Sequence, residues 1–345
     1  MMNPRINPLL SYGVVVTLLL SLIACQKAPQ SSTQSTDSPA SVKVRPSHGG
    51  LPEDSFQAEI VKIGLEKLGY EVESDKILDY TAKLLAIADG ELDYTVTHWE
   101  KNHQVFFDKS GGEEKLERVG AIIPQLLQGY QIDRKTANEY NITNIEQLQQ
   151  PEIAQLFDSD GDGLANLAGC DPGWGCEAII EHHLNAYQLQ DTVEHDQGKY
   201  PALIADTIAR YNQGEPILYY TWTPYWVSSV LKPNEDVVWL EVSVTDMPES
   251  QGNLTAADTS VEGKNLGFPV DRMRIVANKQ FLAANPAARQ LLKLIEIPPE
   301  DMNQESLRIK EGSDSPEDIR RHAQEWVEKN QERFDSWIEE ARKVQ

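Results

Sequence analysis

Residues 169–189 read GCDPGWGCEAIIEHHLNAYQL: a Gly- and Pro-rich turn that runs directly into an apolar-periodic stretch predicting a helix over 177–189. Upstream, Phe56, Ile60, Val61, Leu65 and Leu68 recur at helical spacing and Gly69 stops them, with Asp54 or Ser55 as the expected cap. Residues 70–72 then read as a strand, 80–88 as a helix and 92–97 as a strand. Residues 119–132 look strand-like but interrupted by Pro124, and 144–157 look helical with a proline break. Downstream, 202–211 predicts a helix, 216–221 (PILYYT) a buried strand, 273–277 a strand and 286–295 a helix. Residues 315–343 predict one long amphipathic helix or a helix pair. Alternating strands and helices define an α/β protein. A chain of 345 residues exceeds the usual single core, so two domains are expected.

Lys and Arg number 31 against 54 Asp and Glu, a net charge of −23. Such a chain is a poor partner for nucleic acid or an anionic membrane surface. Residues 14–23 form an apolar run too short for a comfortable membrane span, and it ends in Leu22-Ile23-Ala24-Cys25. This resembles a bacterial lipobox. The resemblance implies a signal peptide over 1–24, cleavage before Cys25 and a lipid anchor on that cysteine. Residues 25–43 are polar and read as a flexible tether. Cys170 and Cys176 remain as an even pair, so a local disulfide is the expected state outside the cytoplasm, with two free thiols as the alternative.

The chemistry concentrates in three places. Trp99, Trp174 and Trp222 each stand at a strand end or in a turn, and together they suggest an aromatic site. Gly175 and Cys176 open a helix whose first N–H groups lack intrahelical partners, a terminus suited to a carboxylate or phosphate; a plain capped helix is the alternative. His103 follows Trp99 by four and shares its face if that stretch is helical; a solvated surface histidine is the alternative there. Separately, Asp158, Asp160 and Asp162 match the first half of a calcium loop, but Gly169 stands where the bidentate glutamate belongs. A structural calcium on those three is the weak candidate, and an acidic turn without metal the favoured one. The sequence holds no Gly-Lys phosphate loop, Gly-x-Ser-x-Gly turn or evident nucleophile–base pair, so neither an ATPase nor another enzyme is expected.

The segments GCDPGWGCEA (169–178), YYTWTPYWV (219–227) and EKLGY (66–70) resemble the substrate-binding proteins of glycine betaine/proline betaine ABC importers, over about residues 51–343. The resemblance implies a two-domain, type II-like periplasmic-binding-protein fold with the ligand in the interdomain cleft. It implies one α/β domain from 44–128 with 275–345 and another from 129–274. Carried over by residue, Trp99, Trp174 and Trp222 box a trimethylammonium group, while His103 and the backbone of Gly175 and Cys176 hold the ligand's carboxylate. The implied partners are glycine betaine or proline betaine, and an ABC permease with its ATPase subunit, served by a monomer; the lipobox departs from that family, whose Gram-negative members are usually soluble, and adds a lipid tether at Cys25. No cofactor is implied. Carnitine, choline or a sulfur analogue as ligand, and an anchored calcium-dependent adhesion or sensor protein, are the rival readings.

Overall fold

The computed structural model describes residues 41–345. The expected signal segment 1–24, Cys25 and all but the end of the 25–43 tether lie outside the described residues. Lys43, the last residue of that tether, is already in a strand: Lys43–Val44 runs parallel to Glu71–Val72. Among the described residues no helix is long and apolar enough to cross a membrane.

One mixed sheet of nine strands frames the molecule. In chain order the strands are β1 (Pro46–His48), β2 (Lys76–Ile77), β3 (Tyr94–Trp99), β4 (Leu116–Asp133), β5 (Ala165–Ala168), β6 (Val193–Asp196), β7 (Leu218–Thr223), β8 (Val237–Trp239) and β9 (Asp271–Asn278). Their spatial order is β2-β1-β3-β9-β4-β7-β5-β6, with β8 paired to β4. β1 lies parallel to β2 and β3, and β5 lies parallel to β6 and β7. β9 is antiparallel to β3 and β4, and β4 is antiparallel to β7 and β8.

β4 is the spine. From Leu116 to Leu126 it pairs with β9, and from Leu127 to Ile132 with β7. The expected break at Pro124 does not occur. Proline has no N–H to donate to the ladder, and the register with β9 slips opposite it, between the Met273–Ile123 and Asp271–Leu126 pairs. A bulge thus absorbs what would otherwise end the strand.

Helices α1 (Pro52–Lys67), α2 (Tyr80–Ala88), α3 (Gln104–Lys109), α4 (Gly175–Ala186), α5 (Tyr200–Asn212), α6 (Pro286–Leu294), α7 (Pro299–Lys310), α8 (Pro316–Lys329) and α9 (Gln331–Arg342) pack around this sheet. The periodic residues of α1 (Phe56, Ile60, Val61 and Leu65) are all buried. Each contributes about 1.5–3 kcal/mol relative to exposure. The cap of α1 is Leu51, with Pro52 in the first turn, not Asp54 or Ser55. Proline's fixed φ starts the helix early, which places Asp54 inside the first turn, where it is buried. Asp79 caps α2 by accepting the Ala82 N–H. The expected helix over 144–157 is three short pieces: Ile145–Gln149 and Gln155–Phe157 in tight turns, and Pro151–Ala154 as one α turn. The 315–343 stretch is a pair broken at Asn330. α7 is a helix that sequence periodicity missed, because its run PEDMNQESLRIK is mostly polar.

Candidate functional site

The site is built where strands β3 and β7 end. Trp99 is the last residue of β3, and Trp222 is the next-to-last of β7. Trp174 is the cap residue of α4, with extended backbone and no side-chain capping bond. The three indoles meet. Trp222 lies edge-on to Trp99, with ring centroids 6.4 Å apart, and to Trp174, at 5.8 Å. Tyr225 stacks on Trp222 at 4.5 Å, and Tyr200 tilts against it at the same distance. Together with Tyr80, His103, Gly175 and Cys176, the indoles line a cavity of about 60 Å³. One water needs only about 10–15 Å³ by the same measure, so the space admits more than a single solvent molecule. Leu51, Tyr80 and Trp174 also border a larger hollow of about 650 Å³.

His103 is not on a helical face with Trp99. A turn joins β3 to α3, and His103 is the cap residue of α3. Nor is it a surface histidine: it is 3% exposed. Its Nδ1 accepts the backbone N–H of Trp99 at 3.1 Å, while its own backbone N–H donates to the Trp99 carbonyl at 2.9 Å. An acceptor Nδ1 fixes the neutral tautomer and makes Nε2–H the ring's donor. Burial holds its pKa well below the ordinary histidine value, and the nearby Lys83 charge acts in the same direction. Lys83 is itself buried, donates to Thr97 Oγ1 and sits 4.3 Å from the centroid of the Tyr80 ring, which packs on His103. Burial lowers its pKa to about 8.

Asp271 sets the turn by accepting the N–H groups of Lys101 and Asn102. Asn102 continues the network through Gln128 to the Tyr220 hydroxyl. The carbonyl of Asn102 also explains Gly175: a Cβ at position 175 would lie 2.8 Å from that oxygen. Gly175 is therefore required for close packing against the Trp99–His103 turn. On the other side, Asp171 accepts the Tyr200 N–H and the Lys199 ammonium, which anchors the turn before Trp174.

Cys170 and Cys176 form the expected disulfide. It closes the short loop that carries Trp174 and the α4 terminus. Replacing both cysteines by serine is expected to cost about 2 kcal/mol of stability from loop closure alone. It should also weaken ligand binding several-fold, because the turn must then be ordered on binding. Melting curves and titrations with and without reductant check this; identical curves would contradict it.

Asp158, Asp160 and Asp162 bring carboxylate oxygens within 4.8 Å of one another. Asp158 is already engaged by the N–H groups of Gly161 and Gly163, and none of the three lines the cavity. Sequence reasoning missed Tyr80, Asn102, Tyr225 and Glu53, all of which line the cavity. No motif marks them; only YYTWTPYWV, which contains Tyr225, hinted at one.

Indoles converging beside an unpartnered helix N-terminus, at the ends of sheet strands, form a small-molecule binding site, and the fold around it is that of the two-domain α/β periplasmic class. Solved structures share this fold. A choline-binding protein of an ABC transporter, in complex with choline, matches with TM-score 0.67 at 16% identity over 86% of this chain and 91% of its own. Lactococcal OpuAC, closed on glycine betaine, matches with TM-score 0.64 at 19% identity over 86% and 99%. Residues 42–329 match the substrate binding domain of the ABC-type glycine betaine transport system, and the chain belongs to that family. It is 45% identical to the glycine betaine-binding periplasmic protein OusX of Dickeya dadantii, across 87% of this chain and 90% of that one. It is also 45% identical, with the same coverage, to the glycine betaine/proline betaine-binding periplasmic protein of Escherichia coli K12.

Proposed function

We propose that this protein captures glycine betaine, and proline betaine as a second ligand, outside the cytoplasm and delivers it to an ABC permease and its ATPase for osmoprotectant uptake. The observation that carries this reading is the meeting, in one cavity, of three indoles with the open N-terminus of α4. A quaternary ammonium has no N–H to donate, so it is recognised by its diffuse charge and methyl surface. Indole faces supply about 0.5–2 kcal/mol each toward that. The carboxylate end takes the N–H groups of Gly175 and Cys176 and the Nε2–H of His103. Those donors are what choline, lacking a carboxylate, would leave unpaired.

Capture is followed by hinge closure between two lobes, 44–128 with 275–345 and 129–274, and then by delivery. The switch of β4 from β9 to β7 after Leu126 supports a crossover there, and would group all of β9 with the first lobe. We further propose that the mature chain is a monomer held to the membrane by lipid on Cys25. Capture requires no cofactor, and calcium at Asp158–Asp162 would be structural only; chelation should leave affinity unchanged.

Titration of the protein with glycine betaine, read by tryptophan fluorescence, tests the reading. Saturable quenching or shift is expected, with choline binding much more weakly. No response to any betaine would overturn it.

A further inference from the structure

Glu53, on the first turn of α1, lines the cavity and is 7% exposed. Its Oε1 accepts the Ser306 hydroxyl of α7 at 3.0 Å, and Ser306 Oγ accepts the backbone N–H of Trp226 at 2.8 Å. Its Oε2 is buried with no donor among the described residues. A buried carboxylate oxygen without a partner is costly, so a charged counterpart is the natural explanation. Tyr225 is close enough for the Glu53 charge to act on its phenol, and Tyr225 stacks on Trp222. Glu53 and Tyr225 therefore share the cavity with the three indoles.

We infer that Glu53 is a specificity residue for the cationic end of the ligand: its carboxylate meets the trimethylammonium group and separates a charged head from an uncharged one of the same shape. This rests on the betaine reading above. Indole faces favour the cation by about 0.5–2 kcal/mol each, since a tert-butyl group offers them the same methyl surface without the charge. A formal charge at short range in a water-poor cavity discriminates strongly. The charged and titratable groups around Glu53 are Asp54 on α1, Glu305 with its partners His322 and Arg308 on α7 and α8, and Tyr225 beyond β7. Burial raises the Glu53 pKa to about 7, against hydrogen bonds from its own backbone N–H and from Ser306, and the Asp54 and Glu305 charges add to the rise. A bound cation favours the ionised form. Binding near neutral pH therefore releases a proton, and affinity weakens as pH falls below about 7 and the carboxyl stays protonated.

The test compares wild type and Glu53→Gln by calorimetry at neutral pH, in two buffers of different ionisation enthalpy. The ligands are glycine betaine and the anion of tert-butylacetic acid, in which carbon replaces the quaternary nitrogen. E53Q is expected to weaken glycine betaine about tenfold, the equivalent of one pKa unit of interaction. It should bind the carbon isostere at least as well as wild type does, and release no proton. An unchanged preference between the two ligands in E53Q overturns the role of Glu53 while leaving betaine binding intact. If E53Q does not fold, the wild-type proton balance decides: release upon binding supports the role, and none overturns it. A wild type that binds neither betaine nor its isostere overturns this inference together with the function on which it rests.

Discussion

Trp222→Ala is expected to weaken glycine betaine binding by at least about a hundredfold, roughly 2.7 kcal/mol. Trp222 is the indole that touches both others, Trp99 and Trp174, and it carries Tyr200 and Tyr225 against it. Alanine removes one cation–π face, worth about 0.5–2 kcal/mol. It also removes aromatic pairings worth about 0.5–1.5 kcal/mol each, which hold the remaining rings in place. Trp222 is 7% exposed, so the truncation also leaves a cavity and should cost about 3–5 kcal/mol of stability. A melting curve taken beside the titration separates the two losses. Trp222→Phe is the control: it retains an aromatic face and should recover part of both. Wild-type affinity in a folded Trp222→Ala protein would remove Trp222 from the site.

Gly175→Ala should weaken binding about ten- to a hundredfold and lower the melting temperature modestly. The added Cβ would meet the Asn102 carbonyl oxygen at 2.8 Å, which is backbone and cannot swing away. Overpacking of this kind costs about 1–3 kcal/mol. Here it falls on the contact that sets the α4 terminus against the Trp99–His103 turn, so the donors to the carboxylate move apart. Alanine is the better former of helix interiors by about 1 kcal/mol, but Gly175 is the first residue of α4, so this offsets only part of the loss. Titration beside thermal melting checks this, and an unchanged Kd would show that the close approach is not needed for binding.

Much of the scaffold was legible because burial follows period. The 3.6-residue rhythm of Phe56, Ile60, Val61 and Leu65 became α1, and the apolar run before Trp222 became β7. Trp99, Trp174 and Trp222 stood out because each interrupts a turn or strand end, and the structure brings all three together. What could not be read was whatever depends on distant partners. Pro124 signals a broken strand locally, yet β9 yields in register and the strand continues. His103 looks like a surface residue until the Trp99 backbone and Tyr80 enclose it. Gly175 invites an explanation by ligand approach, but Asn102, 73 positions earlier in the chain, is the neighbour that demands it. α7 lacks apolar periodicity and was invisible, and with it the Ser306 that orients Glu53.

The most direct test is a crystal structure of the protein with glycine betaine. The trimethylammonium nitrogen should lie within about 6 Å of the centroids of Trp99, Trp174 and Trp222. The carboxylate should lie about 2.7–3.1 Å from His103 Nε2 and the backbone nitrogens of Gly175 and Cys176. A ligand seated elsewhere, or one whose carboxylate turns away from the α4 terminus, would contradict the two-ended site.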